Sequence, residues 1–374
     1  MTAVRCPDGS PDAGAIWHYG DPFGEQHAAE RAAVVVDRSH RVVIALTGAD
    51  RRRWLHSIST QHVADLSDGA CTENLSLDGQ GRVEDHWRQT ECGDTTYLDT
   101  EPWRGTPLLS YLEKMVFWSD VRPALADLAV LSLLGPDLGS AAVLNALGLE
   151  ALPAEATAVA LPDSGTGSGT DGGSDAGSTV GFIRRMPATD DRIELDLLVP
   201  TAQKDRWLDR LAEAGVRPAG VWAYEAHRVA TRRPRLGVDT DERTIPHEVG
   251  WIGPAVHLDK GCYRGQETVA RVHNLGRPPR MLVLLHLDGS GERPATGDPL
   301  LVDGRQVGRL GTVVDHADLG PIALALLKRG IPAGTPLRTG GEHQVAAEID
   351  EESLPPADVA GAGRVAVDRL RHGR

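Results

Sequence analysis

Apolar residues along this chain fall into two alternating patterns, short blocks suited to strands and three-to-four-residue spacings suited to helices. Ala32 to Asp37 and Arg41 to Leu46 predict two strands across a polar turn, and Thr47-Gly48-Ala49-Asp50 opens a helix with Trp54, Leu55 and Ile58 on one face. Gly79 and Gly81 punctuate a hairpin-like connection between Leu75 and Asp85, and Leu108, Leu109, Leu112, Met115 and Val116 mark an amphipathic helix. A second passage repeats the alternation. Leu128 to Gly135 reads as a strand before the run from Ala141 to Leu147, Arg192 to Val199 as a strand, and Trp207, Leu208 and Leu211 as a helix closed by Gly215, with a further helix from about Ala219 to Ala230.

Two stretches break the pattern. Ser164 to Thr179 is almost entirely Gly, Ser, Thr and Asp, too polar to join a core, and reads as a flexible surface insertion because strand and helix patterns flank it. Beyond Pro279 the chain turns to short strands with glycine turns, including Met281 to Leu287, Asp298 to Gly304, Val307 to Val314 and Ile322 to Lys328. That spacing predicts a small β-barrel, with Asp303-Gly304 as a hairpin turn.

A length of 374 residues suggests two or three domains, and 41% hydrophobic with 25% charged residues describes a globular protein. The formal net charge of -14 argues against a broad nucleic-acid footprint, which needs clustered cations. No run approaches the length of a membrane span, and the first residues lack the apolar centre of a signal peptide, so a cytoplasmic protein with reduced thiols is expected. Cys6, Cys71, Cys92 and Cys262 are far apart with no CxxC pair, which argues against a self-contained metal or cluster site.

The densest chemistry lies at Lys260-Gly261-Cys262-Tyr263-Arg264-Gly265-Gln266-Glu267. Its glycines suit a turn with unusual backbone angles or close approach, and the stretch from Gln266 reads as a short helix running out at Asn274-Leu275-Gly276. Cys262 then precedes a helix N-terminus beside the ammonium of Lys260, and both favour thiolate, making it a nucleophile or a metal ligand. A cysteine beside a turn is otherwise a small buried apolar residue. Only four lysines stand among 39 basic residues, so a lysine retained here hints at a need for a compact, tunable cation.

The octapeptide matches the K-G-C-[FY]-x-G-Q-E motif of the YgfZ family, relatives of the glycine-cleavage T-protein, and Ile245-Pro246-His247-Glu248 is similar to that family's I-P-x-E element. Weaker likeness runs from about residue 30 to 345 through Gly48-Ala49-Asp50, Gly79 to Asp85 and Gly308-Arg309-Leu310-Gly311. The resemblance implies an α+β, T-protein-like three-lobed fold, with two α+β lobes around a central channel and a C-terminal β-barrel. It divides the chain into an extension (1–29), a folate-binding region (30–279), a barrel (280–350) and a tail (351–374). It also implies tetrahydrofolate as cofactor, A-type carrier proteins and client [4Fe–4S] enzymes as partners, and a role in assembling or repairing clusters, including those of radical-SAM tRNA-modifying enzymes.

Residue by residue, the resemblance assigns the chemistry to Lys260 and Cys262, with Lys260 also a folate contact, Gly261, Tyr263, Gly265, Gln266 and Glu267 completing the motif, and Cys262 as a transient cluster ligand. Arg228 fits the arginine of the family's L-R-I-E-x-G helix and is nominated to pair with a folate carboxylate, although Ala230 and Arg232 replace the glutamate and glycine. Glu194 lies where T-proteins place a pterin-binding glutamate, a carboxylate able to accept two ring N–H groups; read by itself it is an outward strand carboxylate. Asp85 retains one of a T-protein aspartate pair that positions the reacting nitrogen. Three functions follow: a folate-binding [4Fe–4S] accessory protein using Cys262 and Lys260, a tetrahydrofolate-dependent aminomethyltransferase or demethylase, and a binding module whose octapeptide is structural, with Glu267 and Arg271 as a helical ion pair.

Overall fold

The computed structural model describes residues 2–161, 181–187, 192–275 and 277–354. The insertion expected at 164–179, Gly276 and the tail beyond Leu354 lie outside the described residues. Two compact units divide the chain: Met1–His56, Val63–Asn74 and Trp87–Tyr224 form one, and Ser57–His62, Leu75–His86 and Glu225–Arg374 form the other.

The first unit is built on a six-stranded sheet in the order Thr157–Ala160, Phe182–Arg185, Glu194–Pro200, Leu128–Leu134, Val34–Asp37 and Arg217–Ala219. Neighbours are antiparallel except the last pair. Leu128–Leu134 is buried at every position, as its continuous apolar run demands of a strand covered on both faces. On one face Val35, Leu131, Leu133, Leu195 and Leu197 meet Trp207 and Leu211 of helix Lys204–Glu213 and Val143 and Leu147 of helix Ala141–Leu147. On the other, Val130, Phe182 and Leu198 pack against Val43 and Tyr97 of a second sheet, in which Thr95–Thr100, Val42–Thr47 and Arg122–Ala126 are consecutive. Strands Cys71–Leu77 and Val83–Cys92 complete that sheet and continue into the second unit through the predicted hairpin.

Residues 4–31 contribute more than the sequence period suggests. Val4–Arg5 pairs with Ile16–His18, and helix Pro22–Arg31 is capped by Asp21, which accepts from the Gly24 N–H at 3.0 Å. Cys6, Ala15 and Ala28 share a core with Val34, Val36, Val221 and Tyr224.

The second unit contains the closed barrel, in the order Arg280–Leu287, Gly320–Lys328, Arg305–His316, Pro299–Val302, Leu337–Thr339 and Ala346–Ile349. Closure leaves no sheet edge. Asp303 and Gly304 both have positive φ, 48° and 76°, as the two-residue hairpin requires. Met281, Val283, Leu285, Leu300 and Leu310 fill the interior, while the outward Leu282 and Leu326 join a separate core with Leu75, Leu77, Val83, Trp251, Tyr263 and Val269. That outer core seats the octapeptide.

Candidate functional site

Each octapeptide residue is either anchored or presented. Lys260 is 6% exposed, and its ammonium donates to the Ser59 carbonyl at 2.6 Å and the Gln61 carbonyl at 3.1 Å, with the Tyr263 ring 5.4 Å away. Burial pushes its pKa down to about 8. The segment that receives it is itself held: Thr60 donates its hydroxyl to the Ala255 carbonyl at 2.6 Å, and the Gln61 amide donates to the carbonyls of Gly253 and Pro254. Tyr263 is buried in the outer core, which pushes its hydroxyl up to about 12. The lysine ammonium thus turns inward and fastens the loop.

Gly265 has φ +83°, and a Cβ there would lie 2.7 Å from the Asp78 carbonyl oxygen and 2.8 Å from the Gly81 Cα. Gly81 has φ +78°, and its Cβ would lie 2.8 Å from Cβ of Thr268. The hairpin turn and the start of helix Gln266–Leu275 therefore approach backbone to backbone, and a side chain at either position would separate them. Gly261 has no such requirement, with open space around it. Gln266 donates its amide to the Lys260 carbonyl at 3.3 Å, and Arg264 pairs with Glu84 at 2.9 Å. Cys262 is exposed four residues ahead of the helix, which corrects the reading of a small buried apolar cysteine. Glu267 and Arg271 are exposed.

Asp85 is 3% exposed on its strand and accepts the Ser76 hydroxyl at 2.8 Å. His86, on the opposite face, stacks on Trp251 with ring centres 4.7 Å apart.

Arg228 does not serve the role the resemblance nominates. It lies on helix Val221–Ala230, 3% exposed, and all five of its N–H groups are engaged within the protein. Nε donates to Glu225 at 3.0 Å, Nη1 to Asp239 at 2.8 Å and to the Arg233 carbonyl, and Nη2 to Glu225 at 2.6 Å and to the Thr312 hydroxyl. No fork remains for a ligand carboxylate. Asp239 also accepts from the Thr312 backbone N–H at 2.7 Å, so closely that a Cβ on Gly311 would lie 2.4 Å from its carboxylate. The glycine ending Gly308-Arg309-Leu310-Gly311 is there for this approach. Arg232, standing where the family has glycine, has φ +58° and donates to the Glu352 carbonyl at 2.6 Å.

In the first unit, Glu194 is not an outward carboxylate. Its side chain is 14% exposed, accepts the Tyr224 hydroxyl at 3.1 Å and lies 3.7 Å from Arg88. It borders a buried charge network absent from the sequence reading. Arg88 pairs with Asp196 at 2.7 Å and donates to the Tyr224 hydroxyl at 3.1 Å. Arg184, from the next strand, bridges Asp196 at 2.9 Å and Asp99, while Arg41 holds Asp99 at 2.6 Å and Glu101 at 2.9 Å. Burial alone would raise the carboxyl pKa of Asp196, but Arg88 and Arg184 hold it well below the usual range. The signal was the Glu194, Asp196, Leu198 alternation: two carboxylates share the face of a leucine that is buried.

No protein-family model matches the chain. It is 26% identical over 286 residues to a chloroplastic protein of Arabidopsis thaliana named as a transferase, covering 76% of this chain but 62% of that relative, less than two thirds of its length. It is 26% identical over 324 residues to an aminomethyltransferase of Herpetosiphon aurantiacus, covering 83% of both, and 28% identical over 340 residues to one of Ralstonia pickettii, covering 85% and 84%. The crystal structure of glycine cleavage system aminomethyltransferase T from Bartonella henselae superposes with a TM-score of 0.78 at 18% identity, over 94% of this chain and 93% of that one. The chain has the glycine-cleavage T-protein fold, α+β with a closed six-stranded C-terminal barrel, and resembles aminomethyltransferases in sequence across most of its length.

Proposed function

We propose that this protein binds a tetrahydrofolate and supports the assembly or repair of [4Fe–4S] enzymes, radical-SAM tRNA-modifying enzymes among them, in the cytoplasm and alongside A-type carrier proteins. The observation that carries the reading is the placement of Cys262, exposed ahead of a helix N-terminus on a loop pinned by Lys260, Tyr263 and Gly265. One thiolate supplies one of the four ligands such a cluster usually takes. A cluster at Cys262 is then cargo, shared with a partner chain that provides the rest. Lys260 acts by positioning the loop.

Folate binding draws support from the fold and from two nominated carboxylates, Asp85 fixed by Ser76 and Glu194 fixed by Tyr224, while Arg228 is withdrawn from the ligand set. Bound folate would supply a one-carbon carrier; the protein's part is to hold and orient it. In a host lacking the protein, wild type should restore a tRNA modification made by a radical-SAM enzyme and Cys262→Ser should not, with both accumulating equally. Equal rescue by the variant would remove the thiol from the function.

A second reading, aminomethyl transfer to tetrahydrofolate, is favoured by the aminomethyltransferase names of the relatives and by the buried Asp85. Incubation with an aminomethylated carrier protein and tetrahydrofolate decides it: methylenetetrahydrofolate formed at enzyme-like rates supports transfer, and none forming excludes it.

A further inference from the structure

Four arginines lie in the charge network of the first unit, and one differs from the rest. Arg41, Arg88 and Arg184 each sit directly on a carboxylate. Arg38, 5% exposed, does not. Its Nη1 donates to the Ser132 hydroxyl at 3.1 Å, and that hydroxyl donates onward to Asp196 at 2.7 Å, so the cation reaches a carboxylate only through a serine. Its guanidinium carbon lies 3.7 Å from the centre of the Tyr224 ring. Among the described residues Nε and Nη2 have no hydrogen-bond partner, and neither is among the fully buried polar atoms left without one, so both keep access to solvent.

A mostly buried cation with no carboxylate directly against it is costly to hold, and donors that face solvent are open to an acceptor that arrives there. Burial, with Arg41 and Arg88 close by, holds the Arg38 pKa below that of an ordinary guanidinium. Its two open donors can take an acceptor from a bound molecule. Tyr224 indicates where that acceptor arrives, because the ring beneath Arg38 is the one whose hydroxyl binds Glu194, the nominated pterin carboxylate.

We propose that Arg38 is a ligand-contacting residue whose Nε–H and Nη2–H donate to a carbonyl oxygen at the pterin end of the folate. The inference rests on the folate reading above. Glu194 accepts N–H groups and Arg38 donates N–H groups, so together they suit a heterocycle that carries both kinds of partner. Residue 38 then contributes to affinity at the expense of stability in the unliganded protein.

The test is calorimetric titration of the full chain with 5-formyltetrahydrofolate for wild type, Arg38→Met and Arg38→Lys, with melting curves in the absence of folate. The expected result is at least a tenfold loss of affinity for Arg38→Met, partial recovery in Arg38→Lys, and an unliganded Tm for Arg38→Met at or above that of wild type. Arg38→Gln takes its place if the methionine variant does not fold. Affinity within twofold of wild type overturns the inference alone, as does a Tm several degrees below wild type, which would make Arg38 a structural residue. Absence of binding by wild type overturns the folate reading and the inference with it.

Discussion

Replacing Lys260 by methionine separates the anchoring role of this residue from a direct role in thiol chemistry. An ammonium whose pKa falls from the ordinary 10.5 to about 8 on folding costs the native state about 3 kcal/mol at neutral pH. Below pH 8 both states hold the proton and the full cost is present. Between 8 and 10.5 the unfolded chain keeps a proton that the native protein has released, so stability rises with pH by about 1.4 kcal/mol per unit. Tyr263, pushed up to about 12, and the Cys71 and Cys92 thiols, pushed up to about 11, work in the opposite direction at high pH, but both proteins carry them, so they cancel in the difference between wild type and variant. At pH 7 the Lys260→Met variant sheds the buried charge but forgoes hydrogen bonds to the Ser59 and Gln61 carbonyls, each worth about 1.5–3 kcal/mol for a charged donor, and should differ little from wild type. At pH 10 wild type should have gained about 2–3 kcal/mol relative to the variant. Urea unfolding followed by tryptophan fluorescence at pH 7, 8.5 and 10 measures the difference. Parallel pH profiles for the two proteins would refute the assignment of a depressed pKa to a buried Lys260.

Arg228→Met should destabilise the second unit by about 3–5 kcal/mol, because Glu225 and Asp239 lose the cation between them, and an unchanged melting curve would contradict its structural role. Arg232→Gly should stabilise by about 1 kcal/mol, since φ +58° suits glycine and the bond given up to the Glu352 carbonyl is exposed; a lower urea midpoint would show that this bond outweighs the backbone term. Iodoacetamide on the native protein should modify Cys262 first, because burial pushes the Cys71 and Cys92 thiols up to about 11; peptide mass spectrometry showing Cys71 labelled ahead of Cys262 would count against the exposed placement.

Periodicity marked most of the larger elements because each buries a face in register with its own repeat. Helix Gln266–Leu275 begins directly after Gly265, and strands Val34–Asp37 and Val42–Thr47, each in its own sheet, follow the two apolar blocks. Helix Pro22–Arg31 escaped notice because its apolar residues gather into no single stripe, so its burial depends on partners distant in the chain. Arg122–Ala126 was equally faint. It is an edge strand with Leu125 61% exposed, and an edge need not alternate.

The candidate site was legible where local geometry determines the residue and illegible where distant partners do. Gly265, the glycine just ahead of the helix pattern, does take the left-handed turn that glycine permits. Arg228 and Arg38 are alike in one dimension, each a single arginine close to apolar residues, and both are almost fully buried. What separates them is the supply of acceptors. Glu225, Asp239, Thr312 and the Arg233 carbonyl converge on Arg228 from a helix, a loop and a barrel strand, whereas Arg38 meets one serine hydroxyl and a tyrosine face. A family pattern transfers a residue's identity but not the acceptors around it. Of two buried arginines, the one with donors left over is therefore the better candidate for a ligand, even though the pattern points to the other.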